Sequence, residues 1–119
     1  MDESGTQSAD SLSDLAVTLR AFARARDWEQ YHTPKNLAMA LAGETGELLA
    51  CFQWLTPDEA ARIMQDPGAA AEVESELADV LQYLIRLADI LGIELAEAVR
   101  KKVRLNESRF PPNAAAGAE

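Results

Sequence analysis

Glu44 and Glu47 stand three residues apart in NLAMALAGETGELLACFQWL, Asn36 to Leu55, a stretch without a single lysine or arginine. Further along, ESELADVLQYLI sets Glu76 and Asp79 at the same spacing, and Asp79 is the only charge between Leu77 and Ile85. Residues three apart on a helix are neighbours on one face, so each pair can aim its oxygens at a common point. Four carboxylates gathered inside an apolar pattern repel one another, and an uncompensated buried charge is costly. Either the groups take up protons or a cation sits among them. An all-carboxylate cluster with no cysteine ligand and one distant histidine suits a hard, oxygen-loving ion: Mg2+, with Mn2+ as a substitute, or Ca2+. Acidic pairs three or four apart are also common on solvated helix faces, and Glu72, Glu74, Glu94 and Glu97 read that way. The missing basic partners and dense apolar flanks set Glu44 and Glu47 apart. Gly43 and Gly46 point in the same direction, since each costs about 1 kcal/mol against alanine in a helix interior and a small residue permits close approach.

Helices must position these groups. Ser11, with Asp14 behind it, reads as the cap of a first helix; Leu12, Leu15, Leu19 and Phe22 recur at helical spacing, and the pattern continues to about Gln30. YHTPKN breaks it, because the residue before a proline is pushed out of helical geometry. Thr33 caps a second helix with Pro34 at its first position, running to about Leu55. Its core stripe is Leu37, Leu41, Leu48, Phe52 and Leu55. Thr56, Pro57, Asp58 and Glu59 repeat the start signal for a short helix that QDPG closes. A third long helix runs from about Ala69 to Leu91 on Val73, Leu77, Val80, Leu84, Leu87 and Leu91, with Gly92 as a left-handed stop. Ile93 to about Ser108 makes the last helix, basic in its second half. The architecture is all-α, three long helices and a shorter one. Residues 1–10 read as a disordered lead-in, 11–110 as one domain and 111–119 as a mobile tail. Apolar residues lie on more than one face of two helices, which predicts burial of the second face against another copy of the chain.

The bulk composition narrows the function classes. One domain fits 119 residues, and 48% hydrophobic residues suit a globular core. A net charge of −9 argues against attraction to nucleic acid or anionic membranes, and means that a phosphate substrate needs a cation as intermediary. No run of apolar residues is long enough to span a membrane, and the acidic start does not resemble a signal peptide. The lone Cys51 can form neither an internal disulfide nor a cysteine-based zinc site. The expected setting is a reducing, cytoplasmic one.

At this point the residues resemble a known family. GETGE on one helix and ESELADVLQY on another match the ExxE…ExxD signature of the MazG-like all-α nucleoside triphosphate pyrophosphohydrolases. RDWEQYHTPKNLAMALAGETGELLACFQWLT, ELADVLQYLIRLA and KVRLNESRFP, taken in order, resemble the dCTP pyrophosphatase branch, and the match runs from Leu19 to Pro112. The resemblance implies a helical bundle completed as a homodimer or homotetramer. It also implies Mg2+-dependent cleavage of a nucleoside triphosphate to monophosphate and pyrophosphate. On that basis Glu44, Glu47, Glu76 and Asp79 are metal ligands. Lys102, Asn106 and Arg109 contact the phosphate chain, and Trp28, His32, Trp54 and Tyr83 shape the substrate pocket. Read from spacing alone, Tyr83 falls one turn after Asp79, and Trp54 two turns after Glu47 on the same side. Lys102, Asn106 and Arg109 share a face fit for phosphate, although the same residues also suit an ordinary basic helix end. By the same resemblance, Phe110 stands where that branch usually carries tyrosine, and Leu19 offers no polar group toward a base.

The mechanism that fits is electrostatic: the ion offsets phosphate charge, and one carboxylate, with Glu47 as the candidate base, takes a proton from the attacking water. Three other readings compete. A ferritin-like di-iron bundle wants a Glu-x-x-His on each of two helices, and His32 lies in no such motif. A non-catalytic metal-binding or adaptor module leaves Lys102, Asn106 and Arg109 without a task. A related superfamily member acts on dUTP, on a broad range of triphosphates or on phosphoribosyl-ATP.

Overall fold

The computed structural model describes residues 11–113, and all regular structure in them is helical. Five α-helices follow in order: α1 Leu12–Ala25, α2 Pro34–Ala50, α3 Pro57–Ala61, α4 Pro67–Leu91 and α5 Leu95–Arg109. Short 3-10 turns at Glu29–Tyr31 and Ile63–Gln65 link them. The proposed lead-in 1–10 and all but the first residues of the tail lie outside the described residues; Pro111, Pro112 and Asn113 have no regular structure.

The start signals act as expected. The Ser11 hydroxyl accepts from the Asp14 amide at 3.0 Å, and Thr33 Oγ1 accepts from the Asn36 amide at 3.2 Å ahead of Pro34. Thr56 and Glu59 form a reciprocal capping box at 3.1 and 2.9 Å. α4 begins at Pro67, two residues earlier than the sequence suggests, because Asp66 caps it through the Gly68 and Ala69 amides. Gly92 ends α4 at φ +73°, the left-handed geometry that glycine tolerates best.

Two helix ends depart from expectation. α1 stops at Ala25, short of Gln30, because Asp27 adopts φ +58° and turns the chain; an aspartate tolerates that conformation better than most residues. α2 stops at Ala50, short of Leu55. The backbone tightens there into three-residue turns, with the Phe52 amide donating to the Leu49 carbonyl and the Leu55 amide to the Phe52 carbonyl, each at 2.9 Å. Trp54 therefore lies beyond the end of α2, 86% exposed in the turn that follows.

α2 lies along α4 as the principal interface, and α1 packs on the second half of α4. The buried apolar core at this junction is small: Ala23, Leu37, Val73, Ile85 and Ala88. α5 makes no extensive contact with any other helix among the described residues. Val17, Met39, Leu49, Leu77, Leu81, Leu91, Val99 and Val103 are all exposed. The radius of gyration is 18.0 Å, against about 13 Å for a compact domain of roughly a hundred residues. No described helix is long and apolar enough to cross a membrane.

Candidate functional site

The α2–α4 interface brings Glu44, Glu76 and Asp79 together. One carboxylate oxygen from each lies within 4.8 Å of the others, and all three side chains are half-buried. Glu47 is not part of this triad: it sits one turn further along α2, exposed, with no side-chain hydrogen bond to a described residue. Its charge nevertheless reaches the cluster. Burial, followed by the negative charges of Glu44, Asp79 and Glu47, pushes the Glu76 carboxyl above its ordinary range. Glu76 Oε1 is fully buried and has no hydrogen-bond partner. Cys51, whose thiol donates weakly to the Glu47 carbonyl at 3.7 Å, is raised by burial and by Glu72, Glu76 and Glu47, so it remains a protonated bystander at neutral pH.

Three converging carboxylates, one of which also carries an orphaned buried oxygen, with no ion pair to a basic side chain among the described residues, make a donor set that fits a hard divalent cation. Space is also open on the α2 side: a Cβ added at Gly43 or Gly46 would meet nothing within 4 Å. No described residue makes the close approach these glycines permit.

The other residues singled out in the sequence fall into separate groups. Tyr83, half-buried, is one turn beyond Asp79 on α4. Trp28 and His32 meet in the α1–α2 connection with ring centroids 6.2 Å apart, and Phe22 meets Trp28 edge-on at 5.7 Å. Lys102, Asn106 and Arg109 ride on α5, which stands apart, and no hydrogen bond or ion pair joins them to the carboxylates among the described residues. The Arg109 guanidinium lies 5.1 Å from the Phe110 ring centroid.

A second polar group went unnoticed in the sequence. Arg86 is buried, 4% exposed, within α4. Its Nε donates to His32 Nδ1 at 3.0 Å and its Nη1 to Asp89 Oδ2 at 3.1 Å. Asp89 also receives both Nε and Nη2 of Arg20 at 2.9 and 2.7 Å, a bidentate pair that clamps α1 to α4. Two opposite charges three apart in LIRLADIL, an otherwise apolar stretch, are the same kind of signal that marks Glu44 and Glu47.

These contacts make the fold acid-sensitive. Hydrogen bonds from Arg20, outweighing burial and aided by the charges of Arg20 and Arg86, hold Asp89 below the ordinary carboxylate range. Its contribution is therefore complete above its unfolded pKa and is lost as pH falls through the folded value. Burial, then the Arg86 charge, holds His32 below its ordinary 6.5, opposed by Glu29. The unfolded ring takes up a proton before the folded ring does, so stability declines once pH drops below that value. Urea midpoints measured from about pH 8 down to about pH 3 are expected to fall in two stages. His32→Gln removes the first stage and leaves the second.

Comparison with known proteins places the chain in a family. A model of the MazG-like family matches residues 40–119. dCTP pyrophosphatase 1 of Homo sapiens is 42% identical over 105 residues, covering 88% of this chain and 62% of that protein. The protein of the same name from Mus musculus is 40% identical over 107 residues, covering 90% of this chain and 63% of its own length. The chain thus spans less than two-thirds of these relatives. The crystal structure of a pyrophosphatase from Archaeoglobus fulgidus superimposes with a TM-score of 0.78 at 42% identity, covering 84% of this chain and 92% of that one. This chain belongs to the MazG-like family.

Proposed function

We propose that the protein is a Mg2+-dependent nucleoside triphosphate pyrophosphohydrolase that converts dCTP, or a modified dCTP, to the monophosphate and pyrophosphate. The observation that carries this reading is the Glu44–Glu76–Asp79 triad, with Glu76 Oε1 buried and unpartnered, in a chain similar over most of its length to proteins named dCTP pyrophosphatase 1.

Glu44, Glu76 and Asp79 would hold the ion, with Glu47 as a further ligand. Mg2+ bound there supplies countercharge to the triphosphate and polarises the α-phosphate, and Mn2+ can replace it. Glu47, exposed and with no side-chain hydrogen bond to a described residue, accepts the proton of a water aimed at the α-phosphorus. The bond from the α-phosphorus to its bridging oxygen breaks as the new one forms, and pyrophosphate leaves with that oxygen. Trp28, His32, Trp54 and Tyr83 bind base and sugar, and Lys102, Asn106 and Arg109 bind the phosphates. The acidic chain acts on a small nucleotide in the cytoplasm rather than on nucleic acid or a membrane, as a control on the nucleotide pool.

The direct test is pyrophosphate release from a panel of dNTPs and NTPs, with Mg2+ and with EDTA. Release is expected only with metal and fastest with dCTP or a 5-modified dCTP. Equal rates for dUTP or for all bases would move the substrate assignment to a broader one. No release from any triphosphate by the folded chain would sink the reading.

We further propose that the working unit is a homodimer or homotetramer. The detached α5, the exposed apolar residues of α4 and α5 and the open flank at Gly43 and Gly46 support it. Phosphate-binding residues on α5 then reach the carboxylates only in the assembled state. Light scattering on the eluted protein is expected to give at least twice the chain mass of 12.9 kDa; a monomer at micromolar concentration contradicts the proposal.

A further inference from the structure

Arginine carries N–H donors and no acceptor. The His32 nitrogen that receives Arg86 Nε at 3.0 Å must therefore offer a lone pair, and the proton of the neutral ring resides on Nε2. Arg86 is not free to swing away, because Asp89 holds its Nη1 and Arg20 in turn holds Asp89 through two bonds. His32 Nε2 has no hydrogen-bond partner among the described residues and is not one of the buried unpartnered atoms, so it reaches solvent. Beside it Trp28 is 43% exposed, its ring tilted 53° to the imidazole and braced edge-on by Phe22. An N–H of fixed tautomer thus adjoins a partly exposed indole, the pairing needed to stack a flat heterocycle and hydrogen-bond its edge. A histidine without the arginine could exchange tautomers or gain a proton, and would then discriminate poorly between an acceptor and a donor.

We propose that Arg86 is a positioning residue for base recognition: it locks His32 in the Nε2–H form, so that this ring donates to a carbonyl oxygen of a pyrimidine resting on Trp28. The proposal deepens the nucleotide reading above and rests on it.

The chain has one histidine, so two-bond 1H–15N correlation spectra of the full-length protein report the tautomer of His32 without assignment. Wild type is expected to show an unprotonated Nδ1 and a protonated Nε2 at neutral pH, and Arg86→Met a mixture of tautomers. In steady-state pyrophosphate release, Arg86→Met is expected to raise KM for dCTP about tenfold, the effect of one lost hydrogen bond, with kcat held within about twofold. KM for the base-free deoxyribose 5′-triphosphate is expected not to move. Arg86→Lys, which keeps a donor and the charge, should restore the tautomer and most of the KM; it also serves if Arg86→Met does not fold. A protonated Nδ1 in wild type, or a tautomer unchanged by Arg86→Met, overturns the lock. KM rising equally for dCTP and the base-free triphosphate overturns base recognition and leaves Arg86 as a packing residue. If folded wild type hydrolyses no triphosphate, the nucleotide reading fails and base recognition with it, whereas the spectra decide the lock separately.

Discussion

Glu76→Gln is expected to remove metal-dependent pyrophosphate release almost completely while leaving the metal-free fold as stable as before, or more so. Glu76 is the member of the triad that also carries a buried, unpartnered oxygen. Loss of a group that merely orients a ligand costs about 10- to 100-fold in metal affinity or activity, so loss of the ligand itself should lie at or beyond the top of that range. The stability prediction follows from the opposite side of the same arrangement. Burial and three neighbouring carboxylates disfavour the charged form of Glu76, and an amide of equal size carries no charge to disfavour. Thermal melts with and without Mg2+ separate the two effects. Wild type should gain stability with the ion, about 2.7 kcal/mol at a hundred times its Kd, and the variant should gain little. Retained turnover, or an unchanged Mg2+ response, would mean that the triad does not hold the ion.

Asp89→Ala should be among the most damaging single changes to the fold. It strips Arg86, a residue 4% exposed, of its only anionic partner among the described residues, none of which partners Arg86 Nη2 either. Breaking a buried ion pair from one side costs about 3–5 kcal/mol, a large share of the roughly 5–15 kcal/mol that holds a typical domain together. Asp89→Asn keeps an acceptor and should cost less. Pairing Asp89→Ala with Arg86→Leu should recover much of the loss, because the stranded charge is then gone as well. Urea unfolding at one fixed protein concentration checks all three. A cost below about 1 kcal/mol for Asp89→Ala would show that Arg86 finds water or another partner instead.

The sequence announces most helix starts more plainly than helix ends. Ser11, Thr33 and Thr56 act through bonds to amides three residues away, so their effect is local and legible, whereas Asp66 in QDPG reads as the close of one helix although it caps the next. The stops after Ala25 and Ala50 depend on a positive φ at Asp27 and on a tightening of the backbone around Phe52. No residue type demanded either, and the apolar spacing ran on past both. The carboxylate site was legible for a related reason: Glu44, Glu76 and Asp79 break an apolar pattern on the faces that meet. His32 and Arg86 were harder to connect, since 54 residues separate them and only the packing of the α1–α2 connection against α4 joins them. Lys102, Asn106 and Arg109 show the limit of the method. Their spacing reads correctly as one face of a helix, but spacing carries no information about where that helix docks.

The layout of α4 bears on how such a protein can diverge. Glu76 and Asp79 occupy its middle, Tyr83 the next turn, and Arg86 and Asp89 the turns after that. Seven residues, or about 10 Å of helix rise, separate Asp79 from Arg86, a distance at which substitutions usually act independently. On the proposed function, residues near Arg86 can therefore drift and alter base preference while the carboxylates stay unchanged. A one-residue insertion between the two ends has no such freedom: it turns one end by about 100° against the other, so this helix should diversify by replacement and almost never by change of length.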